Sequence, residues 1–324
     1  LKSFDERVHA IRLHAFGPPE HLVLDELPDL TPGPGEVRIA VEASGVHLLD
    51  TSLRRGEAGP LPLPELPTVP GREVAGVVDA VGPGTDRAWP GKRVVAHLGQ
   101  VPGGYAEQAV AAEAALLEVA DHVSFPDAVA AVGTGRTALG VVTLEPPGPD
   151  DVVLVLSAAG GLGWLLVQSA RAAGARVVAA ASGSRTQVLV ADQVVDYAEP
   201  GWAEQVDGGV TLVYDGVGGA VGRTALELLR PGGRLVMFGF SAGAPTALTT
   251  EDLVARGISA GWSLGPRMAA VPGGVPGLAR RALAKVAAGE WRPLVSTYPL
   301  DRAVRAHADL EGRRALGKVV LVRR

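Results

Sequence analysis

An apolar strand that runs straight into a glycine cluster and a helix constrains this chain more than any other segment. Asp151 to Arg185 reads DVVLVLSAAGGLGWLLVQSARAAGARVVAAASGSR. Val152–Leu156 is a continuous apolar run of the kind buried on both faces of a parallel sheet, and Gly160, Gly161 and Gly163 follow it at once. Backbone without side chains can approach a pyrophosphate closely. From Leu162 to Ala173, Leu165, Leu166, Ser169 and Ala172 recur at helical spacing, so the free N–H groups of the first helical turn face whatever the glycines cradle. The segment reads as half of a dinucleotide-binding unit. Two other readings compete with it. Residues 152–170 carry no charge and have the length of a membrane span, but three glycines and two serines interrupt them and no basic cluster flanks them. A tight turn without a ligand is the plainer alternative, because glycine-rich motifs also arise by chance.

The 324 residues suffice for two domains, and a hydrophobic share of 47% supports a packed core. A net charge of −5, with 30 basic residues scattered along the chain, leaves no basic stripe for nucleic acid. There is no cysteine, which removes disulfides, thiolate nucleophiles and thiolate–zinc sites together. The opening segment LKSFDERVHAIRLHAF is charged throughout and lacks the apolar core of a signal peptide, so a cytoplasmic enzyme without membrane insertion is expected.

The first 120 residues alternate short β-type runs (37–43, 73–81, 93–96, 105–110) with Pro/Gly-rich turns. The stretch 125–142 turns helical and is broken by EPPGPDD. From Asp151 to about Gly265, strands at 152–156, 176–180, 193–196, 210–214, 234–238 and 258–262 alternate with helices, which is the pattern of a doubly wound parallel-sheet domain. Helices at 278–288 and 302–310 and a strand at 318–322 follow. The crossover between the strands ending near Ala181 and starting near Gln193 is near the lower limit, so its helix, at about 186–191, is predicted to be little more than a turn or two.

In a dinucleotide unit a carboxylate about 20 positions after the glycines usually binds the ribose 2′-hydroxyl. Here that place holds Ala181, Ser182, Gly183, Ser184 and Arg185. Two hydroxyls and a guanidinium suit a 2′-phosphate, because arginine offers a planar fork of donors. NADPH is therefore expected over NADH, the alternative being that Arg185 is an ordinary solvated residue at a helix start.

Ten segments, in order and spacing, resemble the zinc-free quinone oxidoreductases of the medium-chain dehydrogenase/reductase superfamily, the ζ-crystallin-like group. They are ASGVHLLDTSLRRG (43–56), VPGREVAGVVDAVGPGT (69–85), GKRVVAH (91–97), GGYAEQAV (103–110), GTGRTALG (133–140), SAAGGLG (157–163), VVDY (194–197), YDGVGG (214–219), LRPGGRLVMFG (229–239) and GKVVLV (317–322). The resemblance implies an α/β chain in which a GroES-like β-rich domain, formed by both termini (1–124 and 265–324), brackets a Rossmann-type NADPH domain (125–264). It also implies hydride transfer from NADPH in a cleft to a small-molecule quinone or enone. The cofactor contacts it implies are Thr137, Gly160, Gly161, Leu162, the Ala181–Arg185 loop and Tyr197 beside the 2′-phosphate. Phe238, Gly239, Phe240 and Ser241 are implied at the nicotinamide, with Trp262, Ser263 and Leu264 nearby. Tyr197 reads equally as a packed edge residue. A homodimer through the outer strand at 258–262 is expected from the resemblance, and an exposed edge strand favours a partner.

Relatives that use catalytic zinc carry Cys, His and Glu ligands, one of them the His of a Gly-His-Glu segment, whereas this chain reads Gly71-Arg72-Glu73. Its seven histidines show no paired spacing either, so no metal is expected and hydrogen bonds are left to activate the substrate carbonyl. His47 and Ser52 replace the family's Asn and Tyr in the 43–56 segment. His47 can donate to an oxyanion or deliver a proton; Ser52 can donate but is a poor acid. Direct quinone reduction with a solvent proton needs neither. Quinone, enone and enoyl thioester all fit, because the Arg54–Pro67 and Gly265–Pro276 loops that shape the pocket carry no readable code.

Two readings come from other classes. Gly239-Phe240-Ser241-Ala242-Gly243 matches a nucleophile elbow, with His307 and Asp301 or Asp309 downstream as esterase partners, although loop rather than helix follows it. A chain that binds NADPH without turnover would instead be structural or regulatory. A second glycine cluster, Gly216, Gly218, Gly219 and Gly222, reads as a tight turn beside the nicotinamide half.

Overall fold

The computed structural model describes residues 7–57, 62–100 and 102–323. The first six residues of the charged opening segment and the centre of the Arg54–Pro67 loop lie outside them. Two compact units divide the chain: Leu1–Thr134 with Ala279–Arg324, and Gly135–Leu278.

In the first unit β1 (Arg7–Leu13) and β2 (Leu22–Pro28) pair antiparallel. Among the described residues, β3 (Glu36–Val46), β4 (Glu73–Val81), β5 (Arg93–His97), β6 (Gln108–Ala112) and β7 (Leu116–Glu118) share one sheet with β14 (Val295–Pro299) and β15 (Lys318–Val322). The order is β14-β15-β3-β4-β5-β7, with β6 also on β3. Buried and half-buried residues alternate along most of β3, as in a strand with one face on the core. Helix α1 (Leu48–Arg55) starts at His47, whose backbone N–H donates to Asp50 Oδ2 (2.8 Å). Helix α2 (Phe125–Ala130) is capped by Ser124 Oγ, which accepts from the Asp127 N–H (3.1 Å). It continues into a π-helical turn, Ala131–Gly135. Because α2 packs on β3, β4 and β5, residues 125–134 belong to the first unit, ten residues beyond the boundary expected from sequence. Helix α9 (Ala303–Glu311) covers β14 and β15.

In the second unit β8 (Val152–Leu156), β9 (Arg176–Ala181), β10 (Gln193–Asp196), β11 (Val210–Asp215), β12 (Leu229–Met237) and β13 (Ser259–Trp262) form a parallel sheet in the order β10-β9-β8-β11-β12-β13. Its helices are α3 (Arg136–Leu144), α4 (Gly161–Ala172), α5 (Gly219–Glu227), α6 (Thr250–Arg256), α7 (Pro266–Ala269) and the first part of α8 (Gly274–Ala287). Because α7 packs on α3, residues 265–278 stay with this unit instead of returning to the first. Leu154, Leu156, Val178, Val213 and Leu235 fill the core. The short crossover folds as a 3-10 segment, Gly183–Val188, with no α-helix. The uncharged stretch 152–170 is β8, a turn and most of α4, and no helix among the described residues is long and apolar enough to cross a membrane.

A chain of polar groups is buried in the first unit. Arg72 Nη2 donates to Asp50 Oδ1 (2.9 Å), the Tyr105 hydroxyl donates to Asp50 Oδ2 (3.3 Å), and His307 Nε2 lies 3.2 Å from the Tyr105 oxygen. With Tyr105 donating to Asp50, His307 is the Nε2–H tautomer, and its Nδ1 has no partner among the described residues. Burial pulls His307 down to about 4. The unfolded chain, where histidine titrates near 6.5, takes up this proton first, so the stabilisation present above pH 6.5 is lost as pH falls toward 4. The loss amounts to about 3 kcal/mol. In His307→Gln the urea midpoint is expected to change less between pH 7.5 and 4.5 than in the parent; equal changes would contradict this assignment.

Candidate functional site

The residues expected to hold a dinucleotide in the second unit lie at the carboxyl ends of its strands. The strand order reverses between β8 and β11, the switch point at which open α/β sheets bind ligands. The glycine cluster follows β8. Ser157 turns the chain with a left-handed φ of 55°, Gly160 is the N-cap of α4, and Gly161 and Leu162 form its first turn. A Cβ on Gly163 would sit 2.3 Å from the Ser157 carbonyl oxygen, so only glycine lets α4 lie this close to the turn. The first-turn N–H groups of α4 point away from the helix at this edge.

At the end of β9, Ala181 is buried, Ser182 caps the 3-10 segment, and Gly183, Ser184 and Arg185 form its first turn. Arg185 Nη2 lies 3.8 Å from the position a Cβ on Gly160 would take, so the guanidinium leans back over the glycine turn. Asp196, at the end of β10, escaped the sequence reading. Its Oδ2 accepts from the Gly183 N–H (2.9 Å) and its Oδ1 from the Ala198 N–H (2.8 Å), which commits this carboxylate to holding backbone. Tyr197 follows beside Ala181, 7% exposed and packed in the core, the edge position that was its alternative reading.

The ends of β12 and β13 bring together the other expected contacts, because Met237 pairs with Trp262. Phe238 is buried against Gly216, Gly239 follows, and the Ser241 N–H donates to the Gly216 carbonyl (3.1 Å). The rings of Phe240 and Trp262, 48% and 39% exposed, lie 6.1 Å apart. Ser263 is buried with its Oγ unpartnered among the described residues, and Leu264 is half-buried. Thr137 lies half-buried in the first turn of α3. The second glycine cluster wraps Asp215, whose Oδ1 accepts from the Val217 and Gly218 N–H groups and whose Oδ2 accepts from Thr246 (2.5 Å). It is a packed turn, as expected.

In the first unit His47 meets two charges through one atom. Its Nε2 is 2.6 Å from Glu73 Oε1 and 2.6 Å from Lys318 Nζ, and Lys318 Nζ is 3.1 Å from Glu73 Oε2. Strand register explains the meeting: β3, which ends one residue before His47, pairs with β4 on one side and β15 on the other. Glu73 and Lys318 are buried, whereas the His47 side chain is 33% exposed. Sequence reasoning passed over both charges, and the available signal was a charged residue at the head of each strand, Lys318 before an apolar run and Glu73 before one broken only by Asp79. Ser52, on α1, accepts from Arg55 Nη2 (3.2 Å). A pocket beside the buried face of α1 is lined by Leu13, Leu53, Leu63 and Pro64, with Asp50, Arg54 and Arg72 as polar wall.

The esterase reading fails on local geometry. No helix follows Ser241 until Thr250. His307 engages Tyr105, and Asp309 is held by Arg305, Arg314 and Tyr298, so neither is placed as a triad partner. Asp301 is the middle residue of the 3-10 turn Leu300–Arg302, six residues before His307.

Two families match the chain: "Alcohol dehydrogenase GroES-like domain" over residues 33–121 and "Zinc-binding dehydrogenase" over 189–321. A 2-haloacrylate reductase of Burkholderia sp. is 31% identical over 334 residues, covering 97% of this chain and 99% of that protein. A quinone oxidoreductase of Pseudomonas aeruginosa is 32% identical over 327 residues, covering 96% and 98%. A crystal structure of Escherichia coli quinone oxidoreductase complexed with NADPH superposes with a TM-score of 0.82 at 28% identity, covering 97% of this chain and 99% of that one. Fold and site define a medium-chain dehydrogenase/reductase. Within that superfamily the chain belongs to the quinone oxidoreductase family.

Proposed function

We propose that this chain is an NADPH-dependent reductase that moves hydride to a quinone or another α,β-unsaturated carbonyl without zinc. The observation that carries the reading is the glycine turn at the sheet's switch point with Arg185 leaning over it, beside a carboxylate already committed to backbone. NADPH is named in the Escherichia coli relative's complex, and reduction of a conjugated acid is the activity in the Burkholderia relative's name. The cradle fits the cofactor. Gly160, Gly161 and Leu162 would face the pyrophosphate, Ser182, Ser184 and Arg185 the 2′-phosphate, and Phe238–Ser241 with Trp262–Leu264 the nicotinamide, with Tyr197 and Thr137 adjoining. When bound, NADPH supplies a hydride to the substrate's electrophilic carbon.

Zinc does not fit the residues present. His47 Nε2 faces an ammonium at 2.6 Å, and the Gly-His-Glu histidine is replaced by the Arg72 guanidinium, so a dication would meet two cations where it needs lone pairs. His47, whose side chain is 33% exposed on a buried charged base, would donate to the oxyanion that hydride addition leaves. Ser52 adds a weaker donor. The apolar pocket beside α1 takes the rest of the conjugated carbonyl. The edge strand β13 is proposed as the seam of a homodimer; a monomer on light scattering would remove that part.

A stopped-flow panel of quinones, enones, 2-haloacrylate and enoyl thioesters with NADPH and with NADH tests the reading. Turnover of 1,4-benzoquinone or 9,10-phenanthrenequinone with NADPH, at least tenfold faster than with NADH at low cofactor, is expected, about 1.4 kcal/mol of discrimination. NADPH binding without turnover of any acceptor would favour a structural or regulatory protein; turnover of thioesters alone would make it an enoyl thioester reductase.

A further inference from the structure

The segment that follows β12 is exposed from residue 240 to 245, and among the described residues Thr246 is its one buried side chain before α6 begins. Small residues, with Gly243 at a φ of 94°, give such a loop little of its own to fix its shape. Its backbone is fixed from outside, because hydrogen bonds carry the pairing of β11 and β12 past the ends of both strands. The Phe238 N–H donates to the Asp215 carbonyl (2.9 Å), Ser241 to Gly216 (3.1 Å) and Ala242 to Val217 (2.8 Å), and in return the Gly219 N–H donates to the Ala244 carbonyl (2.9 Å). One side-chain bond locks the two loops together. Thr246 Oγ1 donates to Asp215 Oδ2 (2.5 Å), while Asp215 Oδ1 accepts from the Val217 and Gly218 N–H groups (2.8 and 2.9 Å). Asp215 is fully buried, and Thr246 is its one donor to Oδ2 among the described residues. A Cβ on Gly222 would fall on the Thr246 hydroxyl oxygen, so α5 packs directly on this bond. Burying a carboxylate is unfavourable, and the loop it holds adds no other side chain to the core. What the clasp secures is therefore the shape of the loop, on which the exposed ring of Phe240 stands 6.1 Å from that of Trp262.

We propose that Asp215 and Thr246 are positioning residues, whose bond holds the backbone of residues 239–241 in one arrangement for the nicotinamide. The proposal rests on the reading of residues 238–241 as the nicotinamide contact. Every residue it uses belongs to the second unit. Both side chains are buried and act through the segment they fix, so neither is catalytic. With the clasp closed, Phe240 and Ser241 keep a single arrangement. Without the Thr246 hydroxyl, Oδ2 is left buried with no donor, and the loop loses its one side-chain anchor. The same contacts then remain available in several arrangements, and the reacting geometry is met less often.

The test uses the full chain with Thr246→Val, which removes the hydroxyl at nearly constant shape, and Thr246→Ser, which keeps it. Without ligand, amide exchange read by mass spectrometry is expected to speed about tenfold over residues 239–246 in Thr246→Val, with β8 and β9 unchanged and Thr246→Ser close to the parent. Affinity for 2′-phospho-ADP-ribose, which lacks the nicotinamide, is expected to stay within about twofold of the parent's, whereas the dissociation constant for NADPH rises about fivefold and kcat with 9,10-phenanthrenequinone falls about tenfold. A merely destabilised fold would weaken both ligands alike. Thr246→Ala, which leaves space beside Oδ2, is expected to show the same split if Thr246→Val does not fold. Parental exchange over 239–246 in the folded variant overturns the clasp. Faster exchange with the parent's ratio of the two affinities and the parent's kcat overturns the positioning role. The reading beneath is tested separately in the parent, where NADPH is expected to slow exchange over 238–246 beyond what 2′-phospho-ADP-ribose does; equal footprints would overturn the placement of the nicotinamide there, and the proposal with it.

Discussion

Arg185→Glu is expected to raise the dissociation constant for NADPH by about two orders of magnitude while leaving that for NADH within about threefold. A charge-assisted hydrogen bond to phosphate is worth about 1.5–3 kcal/mol, and the substitution also sets a carboxylate against a dianion. Together these reach about 2.7 kcal/mol, a hundredfold. The loop itself should survive, because Gly183 is held by Asp196 and Thr186 by the Gly183 carbonyl, bonds in which the Arg185 side chain has no part. Fluorescence titration with both cofactors measures the two constants, and equal NADPH affinity in variant and parent would remove the 2′-phosphate assignment.

Gly163→Val is expected to abolish cofactor binding and to lower the melting temperature by about 10 °C. A Cβ at this position would be 2.3 Å from the Ser157 carbonyl oxygen and 2.8 Å from the Ala158 Cα. Both are backbone atoms of the turn, so α4 must lift from the sheet, and the first-turn N–H groups lose their aim. Overpacking of this kind costs about 3 kcal/mol, which in a unit of this size corresponds to that shift in melting temperature. Differential scanning calorimetry and NADPH titration check it; a variant with parental melting and binding would show that the helix does not need this contact.

What the sequence made legible was local. The β8 run, the three glycines and the helical spacing after them sit within a single strand–turn–helix, so their pattern carries their structure. The shortness of the Gly183–Val188 segment followed from counting residues between two strands. Which unit a helix joins was not legible at 125–134, since apolar helical spacing shows that a face is buried without showing what buries it. The antiparallel β1–β2 pair also escaped, because the outward residues of β2 mix valine and leucine with acids and blur the alternation. At the candidate site, His47 stood out by its residue type and by a departure from the family's pattern. Glu73 and Lys318 did not, because strand register alone brings them to it: Lys318 lies 271 positions after His47.

That separation bears on the order in which the protein is made. The second unit is one continuous stretch, Gly135–Leu278, and has all its strands as soon as β13 leaves the ribosome. The sheet of the first unit has β15 seated between β14 and the Ala43–Val46 end of β3, so during synthesis that end of β3, beyond the part β6 covers, waits with one edge open through the whole translation of the second unit. His47 emerges before the whole second unit, yet its ammonium neighbour arrives with that closing strand. A nascent chain can therefore complete its second unit well before His47 has its buried charged neighbours in place, and the Ala43–Val46 edge of β3 is an unpaired strand edge meanwhile.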